Sequence, residues 1–143
     1  MKSTLIIFLV LSIVFVGCDG TKKISSKQSS VDPVMHFDPS MIDLGTVKKG
    51  EIKKMIFPFT NTSNQDLQID FADAGCHCTE IEAPETTIFK PGEKGEVLLT
   101  YFSDREEEMG AHEKTPLILL KRNDPNTGSN MIKEITFKLT LVE

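Results

Sequence analysis

The sequence predicts an all-β domain, a sandwich of antiparallel strands, and three observations predict it. From Met35 onward, short segments alternate apolar and polar residues with a period of two. Clusters of Gly, Pro, Asn and Asp separate these segments. No stretch carries a 3.6-residue apolar period of helical length, and Arg105 to His112 is expected to form a turn of helix at most.

The strands follow in order. Met35 to Phe37 and Met41 to Leu44 read as a first strand split around Pro39, with Gly45 to Gly50 as a turn. Glu51 to Thr60 is a strand whose Met55, Phe57 and Phe59 share one face, and Leu67, Ile69 and Phe71 do the same in the next. After the turn Lys90-Pro91-Gly92-Glu93-Lys94-Gly95, the strand Glu96 to Phe102 places Val97, Leu99 and Tyr101 on one side. Thr115 to Lys121 points Ile118 and Leu120 inward, and Ile132 to Val142 carries Ile135, Phe137, Leu139 and Leu141 on alternate positions. Seven such segments in about 110 residues match an immunoglobulin-like sandwich. The absence of Trp, and of cysteines spaced to bridge two sheets, argues against an antibody-type domain. Pro58 has no N–H for a ladder, so its strand is expected at an edge or with a bulge there.

The chain ahead of these strands has a different character. Lys2 is followed by the apolar run Leu5 to Val16, about 12 residues and short for a ~30 Å hydrocarbon core. Val16-Gly17-Cys18 resembles a lipobox, in which the cysteine thiol takes a diacylglycerol and becomes the mature N-terminus. Residues 1–17 are therefore expected to be a lipoprotein signal peptide. Residues 18–34, polar and rich in Ser and Lys, are expected to be a lipidated flexible tether, and residues 35–143 the sandwich. Lipid on Cys18 would anchor the domain to a membrane of the cell envelope, each buried CH₂ contributing roughly 0.8 kcal/mol.

The net charge is −5, and −6 once Lys2 leaves with the signal. An acidic chain lacks the basic face that nucleic acid requires, so no nucleic-acid partner is expected. No nucleophile elbow, zinc-protease helix motif, dinucleotide glycine pattern or phosphate loop occurs, so no catalytic residue is assigned and the chain is not read as an enzyme. The acidic run Glu106-Glu107-Glu108 reads as a solvated surface, since it lacks the spaced oxygens of a calcium loop.

Five short motifs occur in order: Leu44-Gly45-Thr46-Val47-Lys48-Lys49-Gly50-Glu51, Phe57-Pro58-Phe59-Thr60-Asn61-Thr62, Cys76-His77-Cys78-Thr79, Lys90-Pro91-Gly92-Glu93-Lys94-Gly95-Glu96 and Asn123-Asp124-Pro125. Together they resemble the bacterial domain-of-unknown-function family numbered fifteen seventy-three, over roughly Phe37 to Leu141. The resemblance implies a PapD/ASH-like and major-sperm-protein-like sandwich, and no settled activity. His77 and Leu44 depart from it, standing where the family usually has Gly and Phe. Each motif also has a local reason. Gly45 and Gly50 can supply positive φ, and Pro91-Gly92 suits the centre of a type II turn. Asn61 and Asn123-Asp124 can hydrogen-bond a turning backbone.

The candidate chemical group is Cys76, His77 and Cys78. The two thiols can be structural, packed inward at a strand end with Thr79 as a hydrogen-bonding neighbour while His77 points outward. They can form a disulfide, but a fully extended chain would hold their Cα atoms nearly 7 Å apart, so a bridge requires a local turn. Or, with the imidazole, they can bind a soft metal, Cu(I) in preference to zinc. One intervening residue is not the two-residue spacing of thioredoxin-like redox motifs.

Two functions follow as expectations. The first is a non-catalytic, lipid-anchored envelope module that binds or scaffolds an unidentified envelope protein, through an unpaired strand edge. The second is a copper-binding or thiol redox role through Cys76 and Cys78, with no other cofactor expected.

Overall fold

The computed structural model describes residues 34–143. Residues 1–33, including Cys18 with the signal and tether readings, lie outside the described residues. Ten strand segments occur among the described residues: β1 (Met35–Phe37), β2 (Met41–Lys48), β3 (Ile52–Asn61), β4 (Ile69–Asp73), β5 (Thr79–Glu82), β6 (Lys94–Phe102), β7 (Gly110–Lys114), β8 (Leu117–Asn123), β9 (Asn130–Glu134) and β10 (Thr136–Val142). One sheet has the order β1-β3-β6-β5. The other side of the sandwich is β2-β10-β7 continued by β4-β8-β9. Those two groups share one hairpin: β7 and β8 are halves of a strand broken at Pro116, β9 and β10 halves of its partner. The halves are joined where the Ile135 N–H donates to the Pro116 carbonyl at 3.2 Å.

This is the immunoglobulin-like β-sandwich. All seven segments visible in the alternation are present, and three boundaries are new: β5, β7 and the break at Ile135. The first strand splits at a cis Asp38-Pro39 bond. β1 pairs antiparallel with β3, whereas β2 crosses to the other sheet and runs parallel to β10. β2 continues past Leu44 to Lys48, so Gly45 is not the start of a turn. At φ +62° it sits where the β2–β10 register slips between Lys138 and Thr140. The turn lies at Lys49-Gly50, with Gly50 at φ +89°.

The core forms where the inner faces meet. Met55, Phe57 and Phe59 of β3 and Val97, Leu99 and Tyr101 of β6 face Ile118, Leu120, Phe137, Leu139 and Leu141, all buried. At about 1.5–3 kcal/mol for each fully buried large side chain, these rows hold the layers together without a bridge between sheets.

Two expectations about faces are corrected. Phe71 does not follow Leu67 and Ile69 inward. The β4–β8 register slips between Ile69 and Phe71, which leaves Phe71 53% exposed and puts Ala72 in the core instead. The Arg105–His112 segment is a 3-10 turn at Ser103–Arg105 followed by the strand β7, not a turn of helix reaching His112.

Pro58 lies in a strand flanked on both sides only at Phe59–Asn61. Its carbonyl accepts from Asp38 N–H at 3.1 Å, where β1 ends. Because N and O of one strand residue point the same way, its missing N–H faces the side that β1 vacates.

Candidate functional site

Cys76 and Cys78 are joined by a disulfide, with Cα atoms 5.3 Å apart. The approach from the extended 7 Å is made by a turn. Gly75 takes φ +77° ahead of it, the Gly75 N–H donates to Asp73 Oδ1 at 2.9 Å, and Thr79 N–H returns to the Cys76 carbonyl at 3.3 Å. Cys78 is buried in the core, Cys76 is partly buried against it, and His77 is exposed. A disulfide has no S–H, so the Thr79 hydroxyl is the donor to the sulfurs, 3.4 Å from Cys76 Sγ and 3.8 Å from Cys78 Sγ. Phe102 N–H donates to the Cys78 carbonyl at 2.9 Å, and Arg105 Nη1 reaches the His77 carbonyl at 3.4 Å while pairing with Glu80 at 2.8 Å. The Arg105 guanidinium also stacks on the Phe102 ring at 3.8 Å. Arg105 thus clamps the turn to β6.

Sulfurs bonded to each other present no thiolate, so a soft metal would require the bridge to be opened first. Among the described residues no three His, Cys, Asp or Glu side chains converge to hold a metal ion.

A second polar group was not legible in the sequence. β7 is an edge strand whose His112 and Lys114 pair with Leu139 and Phe137, and so face the sandwich interior rather than solvent. Glu106 turns in to meet them: its carboxylate lies 2.6 Å from Lys114 Nζ and 3.9 Å from His112 Nδ1, with its side chain 13% exposed. Lys49 Nζ donates to the Glu106 carbonyl. Glu106 is therefore not part of a solvated acidic surface, although Glu107 and Glu108 are exposed. Burial pushes its carboxyl up, but the Lys114 ammonium, aided by His112, outweighs burial and holds it below the usual range. Tyr101 is fully buried nearby, and burial together with the Glu106 charge pushes its phenol up to about 12. Charged groups pointing inward along an edge strand discourage strand-to-strand pairing.

The opposite situation holds along β3. Among the described residues, Ile52 to Phe57 pairs with β6 alone. The hydrogen bonds Ser103 N–H to Glu51 O and Asn61 N–H to Glu93 O fix the odd residues toward β6, and Asp38 N–H to Pro58 O fixes the even ones toward the other side. Ile52, Lys54 and Ile56 therefore direct their N–H and C=O groups to an open edge. Ile52 and Ile56 are 57% and 52% exposed.

A family model described as a protein of unknown function, DUF1573, matches residues 35–135. The chain belongs to this family. All five ordered motifs lie within the span matched by the DUF1573 domain. No curated protein sequence matches the chain.

Solved structures with the same fold include a protein of unknown function from Porphyromonas gingivalis W83, at 18% identity and TM-score 0.58, covering 83% of this chain and 51% of that one. The ASH/PapD-like domain of human CEP192 is similar at 10% identity and TM-score 0.52, over 82% and 92% of the two chains. The Vibrio cholerae VesB protease is similar at 11% identity and TM-score 0.54, over 70% of this chain and 30% of its own. The DUF1573 domain thus spans about a third of the protease and half of the Porphyromonas protein. At these identities the likeness concerns the fold alone, and it places the domain among PapD/ASH-like sandwiches.

Proposed function

We propose that the protein is a non-catalytic module, held at the cell envelope by lipid on Cys18, that binds another protein by accepting a strand on the open half of β3. The observation that carries this is the run Ile52–Ile56, where three residues present backbone donors and acceptors unpaired among the described residues, beside two exposed isoleucines. The exposed Lys54 on the same run favours a strand carrying an acidic residue over a second copy of this chain, whereas Lys53 is already paired with Glu51 at 3.0 Å. The lipobox-like Val16-Gly17-Cys18 supports the anchor. The copper or redox alternative has the exposed His77 beside the sulfurs in its favour, but it begins from a closed disulfide and depends on a thiol reductant in the envelope.

Lys54→Pro tests the edge, because the N–H it removes points outward and contributes nothing to the β3–β6 ladder. Affinity capture from envelope extracts should recover a defined partner with the wild-type chain and lose it with Lys54→Pro, while circular dichroism stays unchanged. Recovery of abundant porins alone, or equal capture by the variant, would count against the edge. Incorporation of labelled palmitate, absent in Cys18→Ala, tests the anchor.

A further inference from the structure

We infer that the outer face of β4-β8-β9, on the sheet opposite to the β3 edge, is a docking surface for a protein segment with an apolar centre flanked by Lys or Arg. The register aligns three apolar residues in one row across the three strands: Phe71 opposite Leu119, and Leu119 opposite Ile132. Phe71 and Ile132 are each 53% exposed, and Leu119 between them is half-buried. The row exists because of the register slip at Asp70. Strict alternation from Leu67 and Ile69 would have buried Phe71, and the bulge turns it outward into line with its neighbours. An aromatic ring aligned with two aliphatic side chains and bordered by polar residues marks an interaction surface more than scattered exposure does.

The border sets the chemistry of the occupant. In the adjacent row Asp73, Leu117 and Glu134 stand opposite one another, two carboxylates astride a leucine. Neither carboxylate forms an ion pair among the described residues. Asp70 adds a third acid at the other end, where Asn130 donates to it at 3.5 Å. Against these three carboxylates stands Lys121 on the same strand face, so the surface keeps an acidic excess on a chain of net charge −5. That excess disfavours both an anionic lipid surface and a second copy of this chain, and it favours a cationic segment through rim complementarity. The surface stands whether or not the β3 edge accepts a strand, since the two lie on different sheets.

The test uses the isotopically labelled full-length chain and two extended peptides, Lys-Leu-Thr-Phe-Thr-Leu-Lys and the same peptide with Glu in place of Lys. The Lys peptide should shift the resonances of Leu117, Leu119 and Ile132. It should bind at least ten-fold more tightly than the Glu peptide, and lose at least ten-fold on Phe71→Ser. Phe71 is exposed, so that variant should keep the wild-type melting temperature, and Asp73→Asn/Glu134→Gln, which leaves the apolar row intact, should lose the preference for Lys. Equal binding of the two peptides, no binding of either, or shifts confined to the β3–β6 sheet would overturn the assignment. So would a dimer in sedimentation that Phe71→Ser dissolves, because it would give the face to a second copy.

Discussion

Lys114 Nζ lies 2.6 Å from the carboxylate of Glu106 on the interior side of the edge strand β7, where alternation would ordinarily place a hydrophobic residue. An exposed ion pair contributes about 0–1 kcal/mol and breaking a fully buried one costs about 3–5. With the Glu106 side chain 13% exposed, Glu106→Gln should cost about 1–2 kcal/mol. The carboxyl is held below its unfolded value, so its contribution is present above the ordinary glutamate pKa and is lost as pH falls through the folded value. Urea unfolding from pH 7 to pH 3 should show a larger acid loss in wild type than in Glu106→Gln; parallel curves would refute the pairing.

Tyr101 makes the complementary case at high pH. Its phenol is raised to about 12 by burial and by Glu106, so its contribution is intact below the unfolded value near 10 and is lost as pH rises through the folded one. Tyr101→Phe keeps the ring that contacts Phe137 at 5.6 Å, and should show less alkaline destabilisation than wild type between pH 9 and 12. Thermal melts across that range check it.

Gly95 lies in β6 without a positive φ, so its requirement is space. A Cβ there would fall 2.5 Å from Phe59 Cζ and 2.7 Å from Phe89 Cε1, rings already in edge contact at 5.0 Å. Gly95→Ala should cost about 1–3 kcal/mol through overpacking. A melting temperature within a degree of wild type would contradict it.

Asn61 is fully buried at the end of β3. Its side-chain amide donates to the carbonyls of Gln65 and Phe89 at 2.8 and 2.9 Å, and its oxygen accepts from Ser63 N–H at 3.0 Å and the Ser63 hydroxyl at 2.7 Å. Asn61→Ala leaves the buried Phe89 carbonyl without this donor, and should cost about 2–3 kcal/mol, more than one exposed turn bond. Chemical denaturation of the two proteins measures the difference.

What could be read from the sequence follows from what drives each element. β3, β6 and β10 were legible because long runs of strict alternation bury one face, and burial fixes register. Asn61 and Asp124 were legible as turn formers: Asp124 Oδ1 accepts from Asn126 and Thr127 N–H at 2.7 and 3.2 Å. β7 was not legible, because its inward residues, His112 and Lys114, are polar and leave no apolar alternation to announce a strand. Alternation alone puts Phe71 on the wrong face, because one inserted residue at Asp70 inverts it without a Gly or Pro to mark the change. The cysteine pair stayed open among three states because the choice depends on the turn at Gly75, and an extended reading of residues 76–78 holds the sulfurs apart.

Thiol counting tests that turn and the anchor together. A bridge closing so short a loop contributes about 1.5 kcal/mol by restricting the unfolded chain, so Cys76→Ser/Cys78→Ser should remain folded and melt a few degrees lower. In the denatured, unreduced protein isolated from its own envelope, Cys76 and Cys78 are oxidised and a lipidated Cys18 is a thioether, so no thiol should react with maleimide. Reduction should then expose two. One reactive thiol before reduction and three after it would keep the disulfide and eliminate the lipid. Two before reduction would eliminate the disulfide, and with it the closed turn that Arg105 clamps against β6.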